Sequence, residues 1–280
     1  MSPFGGRKGG TPVGKFDGVL LVSDFDDTLY DWNMRVPPEN LRALERFVAQ
    51  GGRFTVATGR AHTTFAPYVH LAPINAPVIL SNGSALYDFR ADKMLCQTLL
   101  HEQAPRDLTR LCAHIPELGF EAYRGEDIYV YNPNWVTEMH MKKVGSDYTV
   151  CSIEAMPTPW TKAIVQQEHE SLLRARAWLE EHCLGRYEAI FSNHYYLELT
   201  QRGSNKGGMV DRVAQMLDIR PENIYCVGDN QNDIPMLARS AIPFAPANCA
   251  REVKDWGARV LCHCNEGTIA QVIDILEERY

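Results

Sequence analysis

The sequence predicts an α/β protein: a parallel sheet between two layers of helices, interrupted by an inserted α+β unit. Three observations carry this expectation. Short apolar runs alternate with amphipathic stretches over residues 16–85, and the same rhythm returns over residues 199–280. Between them, over residues 86–198, aromatic strands follow one another across short turns. Strands separated by helices pair in parallel with helices on both faces, whereas strands joined by tight turns pair antiparallel.

Taken in order, Leu20-Leu21-Val22 marks a first strand at about 18–24. Pro37-Pro38-Glu39 suits a helix start, because proline is pre-set for the first turn. Leu41, Leu44, Phe47 and Val48 then share one apolar face, and Gly51-Gly52 ends the helix. Arg53–Thr58 is a second, β-branched strand closed by Gly59. After a helical stretch, Pro77-Val78-Ile79-Leu80 forms a third, running into Ser81-Asn82-Gly83.

In the C-terminal part, Lys206–Leu217 reads as a helix with Met209, Val210, Val213, Met216 and Leu217 on one side. Ile224–Val227 is a strand ending in Gly228-Asp229, followed by a helix around 232–239. The stretches AIPFA and ARVLC read as strands with a short helix between them. Ile269, Val272, Ile273 and Leu276, at spacings of 3, 4 and 7, give the last helix one apolar stripe.

The insert contains two helical stretches, one with Leu108, Leu111, Cys112 and Ile115, the other with Leu172, Leu173, Trp178 and Leu179. FEAYRGEDIYVYN has a turn at Arg124–Glu126, and YEAIFSN and YYLELT lie close together. Residues 1–15, rich in Gly, Pro and Lys, are expected to be a flexible tail.

A chain of 280 residues can bury one large core or two moderate ones. Its net charge of −7 argues against a nucleic-acid partner, whose binder would be basic. No stretch approaches the ~20 apolar residues of a membrane span, and the N-terminus lacks the apolar segment of a secretory signal. The eight cysteines are scattered through apolar surroundings, as free thiols in a reducing compartment would be. These features point to a cytoplasmic protein without a nucleic-acid or membrane partner.

The stretch LLVSDFDDTLYDWN sets Asp24, Asp26 and Asp27 within four residues after an apolar run. Acids this close repel, and a buried unpaired charge is costly enough that it often neutralises instead. A cation, a phosphate-handling reaction or a plain exposed turn would each account for them. Ligands of an open parallel sheet bind beyond the carboxyl ends of its strands. Four such ends are polar here: Asp24 to Thr28, Thr58-Gly59-Arg60, Ser81-Asn82-Gly83, and Gly228-Asp229 with Asn230, Asn232 and Asp233. Ser204-Asn205-Lys206 opens a helix beside them.

Together these residues describe one chemistry. Several carboxylates can hold Mg²⁺, which takes hard oxygen ligands and bridges to phosphate. A lysine and a hydroxyl can neutralise and orient phosphoryl oxygens, and Gly59 allows close backbone approach. No phosphate-cradling GxxxxGKS/T sequence occurs, so the set describes phosphoryl transfer without a nucleotide cradle. Cys262-His263-Cys264 lacks a second ligand pair at zinc spacing and reads as the end of a strand.

Asp24-x-Asp26-x-Thr28, Thr58, Lys206 and GDNQND (228–233) resemble the four motifs of the haloacid dehalogenase superfamily of phosphotransferases. ATGR (57–60), SNG (81–83), SNKG (204–207) and GDNQNDIPML (228–237) are similar to its Cof-type branch of sugar-phosphate-like phosphatases. The resemblance implies a three-layer, Rossmann-like catalytic core made of residues 16–85 and 199–280. Residues 86–198 would form the α+β cap that selects the substrate.

The resemblance further implies an Mg²⁺-dependent phosphomonoester hydrolase acting on a small phosphorylated metabolite, a sugar phosphate first. Asp24 would be the nucleophile that becomes an aspartyl phosphate, and Asp26 the acid and base. Asp24, the backbone carbonyl of Asp26, Asp229 and Asp233 would hold the metal. Thr58, Gly59, Lys206 and Asn232 would bind the phosphoryl group. Arg60 is either a site residue or a surface one, and Asn82 either lines the pocket or only caps a turn.

Two residues apart on a strand, Asp26 can share Asp24's side of the sheet, where like charge would favour its protonated form. Asp27 stands where many Cof-type members have glycine, and its side chain is expected to point outward. The cap aromatics Tyr123, Tyr129, Tyr131, Trp135 and Trp160 could stack on a ring or simply fill the cap core. A phosphomutase is the alternative within enzymes, and a non-catalytic metabolite sensor the alternative outside them.

Overall fold

The computed structural model describes residues 14–31, 35–183 and 185–280. The expected tail therefore lies outside the described residues as far as residue 13. The chain opens with β1 (Leu20–Ser23), α1 (Pro38–Ala49), β2 (Arg53–Val56), α2 (His62–Phe65), β3 (Val78–Leu80), β4 (Ala85–Asp88) and β5 (Lys93–Gln97). Next come α3 (Ala104–His114), β6 (Gly119–Arg124), β7 (Asp127–Tyr131), α4 (Trp135–Val144), β8 (Thr149–Val150), β9 (Lys162–Gln166), α5 (His169–His182), β10 (Tyr187–Asn193) and β11 (Tyr196–Gln201). It closes with α6 (Lys206–Met216), β12 (Ile224–Val227), α7 (Ile234–Leu237), β13 (Pro243–Ala245), α8 (Arg251–Trp256), β14 (Arg259–Val260) and α9 (Thr268–Arg279).

The central sheet has the order β14-β13-β12-β1-β2, and every pair in it is parallel. Its inner strands β1 and β12 are almost wholly apolar because both faces are covered, whereas the edge strand β14 is exposed. In β1, Leu21 packs with Leu44, Phe47, Val272 and Ile273 of α1 and α9. Leu20 and Val22 point the other way, into Val210, Val213, Met236 and Val253 of α6, α7 and α8. The period of two splits one apolar run between two cores, and each such side chain contributes about 1.5–3 kcal/mol when fully buried.

β3 joins this sheet through a single parallel bridge, Ala57 with Ile79. It also begins a small antiparallel sheet, β3-β4-β5. Sequence reading drew a boundary at residue 86, where pairing turns antiparallel; the hairpin of residues 85–97 is nevertheless bonded to β3. The larger sheet begins only at Gly119 and ends at Gln201, with the order β10-β11-β9-β6-β7-β8, antiparallel except for the parallel pair β7-β8.

Alternation again gives this sheet two distinct faces. Phe120, Ala122, Val165, Leu197 and Leu199 pack on Leu108 and Leu111 of α3 and Leu172 and Leu179 of α5. Leu173, expected on that helix face, is half exposed, because the 3.6-residue period turns Leu172, Ala175 and Leu179 inward instead. The opposite sheet face carries Glu121, Tyr123, Lys162, Ile164, Tyr196 and Glu198, and α4 packs there through Val136 and Met141.

Two helical expectations change. α4 was not anticipated, since its apolar residues are irregularly spaced; a capping box, Asn134 with Thr137, starts it. The helix expected at 232–239 is a single turn at Gln231–Asp233 followed by the four-residue α7. Among the described residues no helix is long and apolar enough to cross a membrane.

Candidate active site

The register of the central sheet assembles the site. Ser23 lies opposite Val56 on one side and Val227 on the other. The next residues of all three strands therefore emerge together. Asp24 donates its N–H to the Val227 carbonyl at 2.8 Å, and Ala57 donates to Ser23 at 2.9 Å. Thr58 N–H bonds the Ile79 carbonyl at 2.9 Å, and Asn82 N–H bonds Thr58 at 3.0 Å, which draws in the end of β3. Gly83 (φ +94°) then passes so close to the chain before α6 that a Cβ would sit 2.2 Å from the Asn205 carbonyl oxygen. That contact seats the start of α6, and with it Lys206, against the strand ends.

Lys206 occupies the first position of α6 and is fully buried. A cation at a helix N-terminus opposes the helix dipole, so it needs anionic partners. Its Nζ contacts the Asp24 carboxylate and lies 2.7 Å from Asp233 Oδ1. The two carboxylates outweigh burial and raise the ammonium above its ordinary range. Asp233 also accepts the backbone N–H groups of Asp229 and Asn230 at 2.9 and 3.0 Å, fixing the loop after β12. Gly228 is required there, because a Cβ would meet that of Asp233 at 2.4 Å. Thr28 Oγ1 donates to Asp229 Oδ1 at 3.2 Å and orients the third acid.

Asp24, Asp229 and Asp233 each offer an oxygen, all within 4.8 Å of one another. Burial pushes the Asp24 carboxyl up to about 7, against the pull of Lys206 and with the help of Asp233. Burial and the charges of Asp24 and Asp233 lift Asp229 well above the carboxylate range. Three clustered carboxylates share one lysine, which leaves negative charge for a cation to offset. Their oxygens are hard donors of the kind that suits Mg²⁺.

Asp26 differs from the sequence expectation. Arg60 grips its carboxylate through Nε at 2.9 Å and Nη2 at 2.6 Å. Burial alone would raise this carboxyl, but those bonds and the guanidinium charge hold it below its ordinary value. The neighbouring cation, rather than like-charge repulsion, sets its protonation. Arg60 thus lines the same cavity as Asp26, stacked over Phe25 and Tyr68 with only 12% of its side chain exposed. Asp27 is exposed and holds φ +60°, the left-handed conformation for which glycine is the default.

Thr58 is fully buried, and its hydroxyl accepts the Arg60 N–H at 3.1 Å; Gly59 is the residue that faces the cavity. Asn232 Nδ2 donates to Asn82 Oδ1 at 3.0 Å. Asn82 Nδ2 faces the Glu198 carboxylate, and Asn232 Oδ1 is buried without a partner among the described residues. Buried polar atoms of this kind call for a ligand or water.

A cavity of about 200 Å³ opens over Asp24, Asp26 and Asp229, and the polar face of the six-stranded sheet forms its far wall. Tyr123 lines it, whereas Trp160 is buried in the apolar core and Trp135 is exposed. Sequence reading missed that wall's charged residues. Lys162 Nζ lies 3.3 Å from Glu198 Oε2 and reaches the Gly59 carbonyl at 3.0 Å. Burial would raise the Glu198 carboxyl, but Lys162, together with hydrogen bonds from Ser192 and Asn82, holds it below its ordinary range. The signal was available: Glu198 stands between Leu197 and Leu199, on the same strand face as Tyr196.

Residues 21–273 match the family model of haloacid dehalogenase-like hydrolases. An HMP-PP phosphatase of Serratia proteamaculans is 25% identical over 91% of this chain and 93% of its own. Pyridoxal phosphate phosphatase YbhA of Escherichia coli is also 25% identical, over 91% and 97%. Among solved structures, a phosphatase of the haloalkanoate superfamily from Bacteroides thetaiotaomicron superposes with a TM-score of 0.81, covering 97% of this chain and 99% of that one at 20% identity. The subclass IIB sugar phosphatase BT4131 does so with a TM-score of 0.80, covering 92% and 99% at 19% identity.

Proposed function

Because this chain belongs to the haloacid dehalogenase-like hydrolases and is a phosphatase of their Cof-type branch, we propose that it cleaves phosphomonoesters through an aspartyl phosphate on Asp24. Its substrates are small phosphorylated metabolites, the class named in its relatives: HMP-PP, pyridoxal phosphate and sugar phosphate. The observation that carries the proposal is the position of Asp24, at a strand end, beside Lys206 and open to the cavity.

Asp24 attacks phosphorus, and the bond to the leaving oxygen breaks. Lys206 draws the buried Asp24 carboxyl toward its ionised, nucleophilic form and draws charge from the phosphoryl oxygens. Asp26, once it has left Arg60 and taken up a proton from solvent, gives that proton to the departing alkoxide, then takes one from the water that hydrolyses the acyl phosphate. With Arg60 bound, Asp26 is in the form needed for that second step. Thr58, Gly59, Asn82 and Asn232 would orient the phosphoryl group; the unpartnered Asn232 Oδ1, an acceptor, suits a metal ion or a water rather than a phosphoryl oxygen. Asp24, the backbone carbonyl of Asp26, Asp229 and Asp233 would hold Mg²⁺, which supplies charge neutralisation to the phosphate dianion.

Residues 86–198 would act mainly as a cover, the six-stranded sheet excluding water and contacting the leaving group. The cavity's size favours compact leaving groups, and its mixture of Tyr123, Lys162 and Glu198 favours polar ones. Phosphate release from a panel of sugar phosphates, pyridoxal 5′-phosphate and p-nitrophenyl phosphate tests the reading. Release from at least one is expected; a well-folded protein that releases none from any of them would overturn it.

A further inference from the structure

The cap sheet buries a carboxylate that the proposed chemistry does not use. Glu121, in β6, has no exposed side-chain surface. It accepts the Tyr123 hydroxyl at 2.7 Å, the Gln166 amide, and His140 Nδ1 at 2.9 and 3.0 Å from its two oxygens. Gln166 in turn accepts the Thr137 hydroxyl at 2.7 Å, so the network ties α4 to the sheet.

Packing does not require this arrangement. A buried charge needs all its partners, and an apolar residue of similar size would serve a core at least as well. What the carboxylate provides is a fixed imidazole. A carboxylate that already accepts two other donors takes the Nδ1 proton, which sets the ring orientation. His140 itself lines the cavity, and with Nδ1 taken by Glu121 its Nε2, which has no partner among the described residues, is the ring nitrogen left for a ligand. The ring is further held against Tyr196, with centroids 4.9 Å apart. A carboxylate-oriented histidine thus faces the phosphoryl site from the cap side.

We propose that His140 is a specificity-determining residue of this phosphatase, its Nε2 hydrogen-bonding a hydroxyl group of the leaving group, with Glu121 as the positioning residue that fixes the ring. A hydroxyl fits Nε2 in either ring state: it donates to the neutral imidazole and accepts from the charged one. The inference rests on the phosphatase reading above and adds the chemical class of leaving group.

The test compares kcat and KM of the wild type, His140→Ala, His140→Gln and Glu121→Gln. The substrates are p-nitrophenyl phosphate, whose leaving group has no further hydroxyl, and ribose 5-phosphate, glucose 6-phosphate and pyridoxal 5′-phosphate. The ratio of kcat/KM for the best hydroxylated ester to that for p-nitrophenyl phosphate should fall about tenfold in His140→Ala. It should fall in Glu121→Gln and recover in part in His140→Gln, whose amide reaches toward the Nε2 position. A ratio unchanged in His140→Ala overturns the proposal and leaves the network a structural one. So does a wild type that hydrolyses p-nitrophenyl phosphate but no hydroxylated ester. A wild type inactive on every ester overturns the phosphatase reading and this inference with it.

Discussion

Arg60 holds both oxygens of Asp26, at 2.9 and 2.6 Å, while Asp24, two residues away, is held by Lys206 instead. Two neighbouring carboxylates thus have separate cations and opposite shifts: Asp24 is pushed up to about 7 and Asp26 is pulled down. These resting shifts are the reverse of what a nucleophile and a proton donor need, so Asp26 must leave Arg60 and take up a proton before it serves as the acid in the two roles proposed.

Asp26→Asn should separate those roles experimentally. It keeps Asp24 and the backbone carbonyl but removes proton transfer, which is typically worth a factor of about 10² to 10⁴. The loss should be large for an alkyl phosphate and smaller for p-nitrophenyl phosphate, whose phenolate needs little protonation. Steady-state rates on both esters decide it; equal losses on the two would remove Asp26 from the acid role.

Removing divalent cations should abolish phosphate release, and Mg²⁺ should restore it. Asp24, Asp229 and Asp233 crowd their oxygens within 4.8 Å around a single lysine, and a hard cation would offset the remaining charge. Undiminished turnover in excess EDTA would contradict a metal-dependent site.

The Lys162–Glu198 pair should leave a signature in acid. Burial would raise Glu198, but Lys162 holds its carboxyl below its ordinary 4.5, so folding favours the ionised form. Its contribution is fully present above pH 4.5 and is lost as pH falls through the lower folded value. Melting temperatures from pH 6 to pH 3 should therefore drop more steeply for the wild type than for Glu198→Gln. Lys162→Met, which strands a buried carboxylate, should cost about 3–5 kcal/mol at neutral pH. Parallel melting curves for wild type and Glu198→Gln would show that the pair contributes no linked stability.

Much of the central sheet was legible because its signals are local. Leu20-Leu21-Val22, Arg53–Val56 and Ile224–Val227 are short apolar runs closed by polar turns, and each became a buried parallel strand. Asp24, Lys206 and Asp233 could be grouped from sequence because strand ends in a parallel sheet converge. Pairings set by distant partners were less visible. The hairpin 85–97 reads as antiparallel wherever it docks, and only the fold shows that it docks on β3. The state of Asp26 depends on Arg60, 34 residues away, whose reach no local pattern gives. Glu121 and His140, on a strand and on a helix that lacks a clear apolar stripe, meet only in the folded cap.

The most direct test of the account is to quench the enzyme in acid during turnover and map phosphate to its peptides. The wild type should carry phosphate on Asp24. Asp24→Asn should carry none and lose essentially all turnover, since the variant keeps the shape of the site but lacks the attacking carboxylate. Near-normal turnover by Asp24→Asn, or phosphate found on another residue of the wild type, would contradict the assignment of Asp24 as nucleophile.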